Sequence, residues 1–94
     1  MSKTSYRLVL HKAAIGEIKA LPEKTRARVK RIIEALAEHP TPQAARRLRG
    51  RKNAFRIRVG DYRVLYEVHA SEIVVYVVGV GHRRDVYRRL LKRR

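Results

Sequence analysis

Arg56 and Arg58 alternate with Phe55, Ile57 and Val59, so in an extended segment both guanidinium groups leave the same side. Arg63 follows just beyond a turn, and His82, Arg83, Arg84 and Tyr87 gather where the last apolar run ends. Guanidinium groups bind phosphate through paired donors and stay charged at any relevant pH. Several of them converging on one phosphodiester would stabilise the pentacoordinate transition state of RNA cleavage, whose added negative charge sits on the non-bridging oxygens. Attack by the neighbouring 2′-hydroxyl needs no metal and no protein nucleophile. It needs a base, an acid, charge stabilisation and in-line geometry. His82 and Tyr87, which bracket Arg83 and Arg84, would supply proton transfer or base stacking. No cofactor is implied.

The composition points to the same class of ligand without choosing among its members. Lys and Arg number 24 against 8 Asp and Glu, a formal net charge of +16 in 94 residues. Such a charge attracts polyanions through counterion release at phosphates, but RNA, DNA, a membrane surface and an acidic protein all qualify. In so basic a chain some arginines align on any face by chance, so a noncatalytic binding surface is the competing reading. A hydrophobic fraction of 45% argues against intrinsic disorder. There is no cysteine, which excludes disulfides and thiolate metal sites. His11, His39, His69 and His82 show no metal-ligand spacing, and no metal is expected. No run is long and apolar enough to span a membrane, and the N-terminus lacks a signal-peptide pattern, so the expected location is the cytoplasm.

The elements that must position these groups follow from periodicity. Residues 6–10 are β-prone and make an opening strand. Residues 12–20 carry Ala14, Ile15 and Ile18 as the inner stripe of a short helix, and Leu21-Pro22 interrupts it. Residues 23–38 repeat Val29, Ile32, Ile33 and Leu36 at helical spacing, with Lys24, Arg26, Arg28, Lys30 and Arg31 on a solvated side. Two helices so closely joined predict an antiparallel hairpin, ended by His39-Pro40-Thr41-Pro42. Residues 43–53 hold Arg46, Arg47, Arg49, Arg51 and Lys52, with Leu48 as the apolar anchor, and predict a basic loop with room for one helical turn. No repeat or linker divides the chain, so a single domain over residues 1–94 is expected.

A three-stranded antiparallel meander follows. Gly60-Asp61 forms a two-residue turn that sets Val59 against Tyr62, Arg58 against Arg63 and Ile57 against Val64. Ala70-Ser71 is the candidate for the next turn. Phe55, Ile57, Val59, Tyr62, Val64, Tyr66, Val68, Ile73, Val75 and Val77 then share the face that packs on the helices. Arg56, Arg58, Arg63, Leu65, Glu67, Val74, Tyr76 and Val78 share the other. On this pattern Tyr62, Tyr66 and Tyr76 are packing residues, and His11, His39 and His69 are incidental. Like charges directly opposed across a strand pair are destabilising, so Arg58 against Arg63 makes more sense if an anion sits there. A last helix is expected from residue 85 or 86 to 92. The fold class is α+β: an N-terminal strand, a helical hairpin, a meander completing a small sheet, and a C-terminal helix.

Arg47-Leu48-Arg49-Gly50 before the meander, Tyr62-Arg63-Val64-Leu65-Tyr66-Glu67-Val68 within it, and Val80-Gly81-His82-Arg83 followed by Val86-Tyr87 together resemble the RelE/ParE toxin superfamily. The resemblance covers essentially the whole chain, and the Arg and Tyr after the last strand look more like the RelE branch. It implies a small α+β sheet similar to microbial ribonucleases, in the toxin of a type II toxin–antitoxin system. It further implies a ribosome-dependent mRNA endoribonuclease that cuts in the decoding site and inhibits translation, normally blocked by a cognate antitoxin whose acidic segment wraps the toxin. By that likeness Arg63 contacts the scissile phosphate, Arg83 aids leaving-group protonation or transition-state charge, and Tyr87 stacks on the substrate nucleotide. Arg56 and Arg58 hold phosphate, and Arg49, Arg51, Lys52 and Arg84 add RNA contacts.

One departure matters. RelE proteins like the best-studied one carry two lysines on the first meander strand, one of them assigned as a possible base, and here those positions are Arg56 and Arg58. Arginine is a poor proton acceptor. Either His82 is the base or water and charge stabilisation carry the step. Two further readings stay open: a ParE-like toxin of the same fold that poisons DNA gyrase, which the Arg83 and Tyr87 pair argues against, and a noncatalytic member that binds RNA or a partner.

Overall fold

The computed structural model describes residues 5–82 and Lys92. Their order is β1 (Arg7–Leu10), α1 (Lys12–Lys19), α2 (Glu23–Ala35), β2 (Arg46–Arg47), β3 (Ala54–Val59), β4 (Tyr62–His69) and β5 (Val74–Gly81). The five strands form one sheet in the order β1-β5-β4-β3-β2. β1 runs parallel to β5, and the other pairings are antiparallel. The expected α+β architecture is therefore present. The expected C-terminal helix, with Arg83, Arg84 and Tyr87, lies outside the described residues.

Each helix starts for a local reason. His11 caps α1, its Nδ1 accepting the Ala13 N–H at 3.0 Å, so this histidine has a structural task. Pro22 occupies the cap position of α2, where its missing N–H costs nothing, and Glu23 places a carboxylate at the positive end of the helix dipole. The second helix stops at Ala35, short of the expected 38. Leu36, Ala37 and Glu38 instead donate to carbonyls three residues back, and the Ala37 carbonyl accepts the Tyr6 N–H at 2.7 Å. The end of α2 thus ties down the start of β1.

The helices cover one face of the sheet. Ala14, Ile18, Leu21, Val29, Ile33 and Leu36 pack against Phe55, Ile57, Val59, Val64, Tyr66, Val75, Val77 and Val80. Tyr66 is fully buried, stacks on Phe55 at 5.6 Å, and donates its hydroxyl to the Pro40 carbonyl at 2.7 Å. Burial pushes its phenol pKa well above the ordinary value. A second, smaller cluster of Leu48, Ala54, Leu65 and Val78, flanked by Tyr76, lies on the opposite face. That cover explains why β5 is apolar on both sides, as its sequence predicts.

The β3–β4 register is the one expected, from Val59↔Tyr62 through Arg58↔Arg63 to Ala54↔Glu67. Gly60 takes φ 61° and Asp61 does not have positive φ, the signature of a turn with glycine in its first central position.

Three local expectations are corrected. The 43–53 segment is not only a loop with a helical turn: Arg46 and Arg47 form an edge strand against Arg56 and Phe55. The β4–β5 connection is longer than the two residues Ala70-Ser71, since His69 pairs with Val74, and Glu72 and Ile73 donate to His69 and Ala70. Because the shift is an even number of residues, every strand face survives it except that of Ile73. That residue leaves the core face and sits exposed at φ 56°. Finally, β5 carries an irregularity opposite Leu65 and Tyr66. Leu65 pairs with Gly79 and Tyr66 with Val77, so Val78 is an extra residue.

Candidate functional site: a basic sheet face at the end of β5

Paired residues share a face, so the register assembles the site directly. Arg58, Arg63 and Gly81 lie in one row across β3, β4 and β5. Arg46, Arg56, Leu65 and Gly79 make the next row. Four arginines thus share the face away from the helices, toward the end where β5 delivers the chain to His82, with Arg46 Nη1 donating to the Gln43 and Ala45 carbonyls at 3.0 and 3.2 Å. Arg63 Nη1 donates to the His82 carbonyl at 3.4 Å. Glu67, further along β4 on the same face, is engaged by His69 Nε2 at 2.8 Å.

His82 reaches this end through the extra residue in β5. Without it, strict alternation would place Val80 and His82 with Val78. With it, Val80 enters the helix-facing core and His82 meets the edge of the Tyr62 ring, centroids 5.0 Å apart at 67°. The imidazole is exposed and fixed from both directions, by its ring against Tyr62 and by its carbonyl against Arg63. Its ring therefore lies with Tyr62 on the helix-facing side of the strand end, while its backbone carbonyl is what meets the Arg58–Arg63 row.

Beyond β2 the chain folds over the same face. Leu48 is buried among Ala54, Leu65 and Val78, and its N–H donates to the Ala54 carbonyl at 2.8 Å. Arg49, Arg51 and Lys52 hang from this anchor around a shallow bowl that Arg47 and Gly50 also line. Gly50 makes the turn at φ 79°, a conformation that disfavours side chains.

The predicted Arg56, Arg58 and Arg63 therefore share one face, with Arg49, Arg51 and Lys52 on the segment that folds over it. The predicted His82 joins them only through its backbone carbonyl, its ring turning to Tyr62 on the other side. Arg46 reads from sequence only as part of the basic loop, because a two-residue strand is too short to show alternation. Tyr62 reads from sequence as a packing residue, and its contact with His82 depends on the bulge. Among the described residues no group of three His, Asp or Glu side chains is placed to hold a metal ion. No helix of the described residues is long and apolar enough to cross a membrane. The arrangement can bind and neutralise a phosphodiester through its row of cations, with one exposed imidazole at the rim of the strand end.

Residues 8–87 match the family model for the ParE toxin of type II toxin–antitoxin systems, parDE. The chain is 30% identical over 93 residues to the mRNA interferase toxin RelE of Escherichia coli K12, covering 95% of this chain and 97% of that protein. It is 29% identical over 85 residues to toxin RelE3 of Methanocaldococcus jannaschii, covering 86% and 94%. Among solved structures, a doubly substituted E. coli RelE in the free state superposes with a TM-score of 0.79 at 28% identity, covering 94% and 96% of the two chains. The RelE of the Pyrococcus horikoshii RelE–RelB complex gives 0.76 at 27% identity, covering 85% and 97%. Family model, relatives and fold agree: the chain belongs to the RelE/ParE superfamily of type II toxin–antitoxin toxins, as a RelE-like member.

Proposed function

We propose that this toxin is an mRNA endoribonuclease that acts on the ribosome, cutting at the decoding site by 2′-hydroxyl attack without a metal ion. The observation that carries the proposal is Arg58 held directly across from Arg63, with Arg56 and Arg46 paired in the adjacent row. Like charges opposed in a sheet cost roughly 0.2–1 kcal/mol per pair. A phosphate between them turns that repulsion into binding and transition-state stabilisation. The mRNA interferase name of the E. coli relative supports the same reaction class. Arg63 is assigned to the scissile phosphate and His82 to proton transfer. Arg56 and Arg58 hold the adjoining backbone, and Arg49, Arg51 and Lys52 contact RNA. By resemblance, Arg83 adds charge and Tyr87 stacks on the nucleotide, and Arg84 is a further RNA contact.

The partner is a cognate antitoxin with an acidic segment, in keeping with the RelB-bound complexes of related RelE proteins and with the charge of +16. The deciding experiment incubates purified protein with mRNA on programmed ribosomes and maps the 5′ ends of the fragments. An Arg63→Ala, Arg83→Ala double variant is the control. Cuts in the decoding-site codon that vanish in the variant are expected. Intact mRNA would reject the nuclease, and inhibition of DNA gyrase would then identify ParE-like activity.

A further inference from the structure

β5 is supported unequally along its two edges. β1 pairs with it from Arg7↔Val74 to Leu10↔Val77, and the last bond between the two segments runs from the His11 N–H to the Val77 carbonyl at 3.0 Å. β5 continues to Gly81, but the chain beside it has by then turned into α1. Val80 nevertheless donates its backbone N–H to Glu17 Oε1 at 2.9 Å. A carboxylate from the helix takes the place that a strand carbonyl would have filled. Charged acceptors make stronger hydrogen bonds than neutral ones, and this one is partly shielded from water.

The bond sits next to the one irregular point of the β4–β5 pairing. The extra residue at Val78 puts Gly81 across from Arg63 and His82 against Tyr62. Yet residues 74–81 are valine and glycine apart from Tyr76, and Val77, Val78 and Val80 are all buried. Such a run carries little side-chain preference for one placement of the bulge over the next. A slip of one residue would exchange the two faces of the strand end.

We propose that Glu17 is a positioning residue of the RNA-facing strand end. By accepting the Val80 N–H it locks the bulged register that presents His82 to Tyr62 and the His82 carbonyl to Arg63. Its consequence for cleavage rests on the endoribonuclease reading above, whereas its consequence for register does not.

The test compares ¹⁵N-labelled wild-type protein with Glu17→Gln, Glu17→Asp and Glu17→Ala. Glutamine keeps the acceptor at the same reach, while aspartate keeps the charge but is one methylene short. Wild type and Glu17→Gln are expected to retain a slowly exchanging Val80 amide and the Tyr62–His82 ring contact. Glu17→Asp and Glu17→Ala are expected to lose the ring contact, with Val80 exchanging about tenfold faster, the equivalent of one net hydrogen bond. On programmed ribosomes kcat should fall on the order of 100-fold in those two variants with KM unchanged, as for a misplaced reacting group. An equally protected Val80 amide in Glu17→Asp and Glu17→Ala would overturn the assignment. If wild type cut no mRNA, the nuclease reading would fail alone, and the exchange and ring-contact data would still decide the register claim.

Discussion

Tyr62, the first residue of β4, and His82, just past the end of β5, meet at the open end of the β4–β5 hairpin with ring centroids 5.0 Å apart at 67°. The ring contact orients an imidazole whose residue is exposed, and this is the group assigned to proton transfer. His82→Gln should therefore lower the rate of mRNA cleavage on the order of 10²-fold or more while ribosome binding is retained. Single-turnover kinetics alongside a ribosome pelleting assay would check this, and a full cleavage rate would remove His82 from the chemistry.

Arg58 and Arg63 predict a trade between stability and binding. Arg58→Gln relieves the opposed charges and should raise the free energy of unfolding by about 0.2–1 kcal/mol. The same change should weaken RNA binding and reduce its dependence on log salt by about 0.7, the loss of one phosphate contact to a single strand. Urea denaturation and a salt titration of RNA affinity measure the two effects. A variant that is less stable than wild type would contradict the like-charge argument.

The acidic segment of a cognate antitoxin should stabilise the toxin by mass action. With free peptide about 100-fold above its Kd, the gain is about 2.7 kcal/mol. Part of that gain is electrostatic, so thermal shifts should shrink as salt is added. Equal shifts at low and high salt would show that the interface does not draw on the +16 charge.

Tyr66 supplies a pH prediction. Burial raises its phenol pKa in the folded protein above the unfolded value of about 10. The native state therefore keeps a proton that the unfolded chain releases. Stability from this group is complete below pH about 10 and declines as pH rises beyond it. Tyr66→Phe should remove this part of the alkaline decline, and at neutral pH it should cost about 0.5–1.5 kcal/mol for the lost bond to the Pro40 carbonyl. Denaturant melts across the alkaline range, wild type against variant, would show parallel curves if the assignment were wrong.

The sequence was most legible where turn chemistry and alternation agree. Gly60-Asp61 specifies its own geometry, and the alternation of Phe55, Ile57 and Val59 with Arg56 and Arg58 fixes which side each occupies. Together they place Arg58 opposite Arg63. The β4–β5 turn was less legible because Ile73 adopts a backbone conformation that its side chain disfavours, and nothing local announces it. The bulge was invisible for a related reason: in a run of valines an extra residue changes no hydrophobic pattern. Its position is set by contacts from elsewhere, among them Glu17. β2 escaped notice because its pairing energy comes from β3, not from its own two residues.

The brevity of β2 has a bearing on how the protein behaves in solution. A sheet edge is a template for another strand, and Arg46–Arg47 offers only ~7 Å of it at the usual rise per residue. Both positions are exposed cations, so an approaching copy of the chain would meet its own charge before it could pair. The two arginines of β2 thus blunt that edge of the sheet against pairing with another copy of the chain.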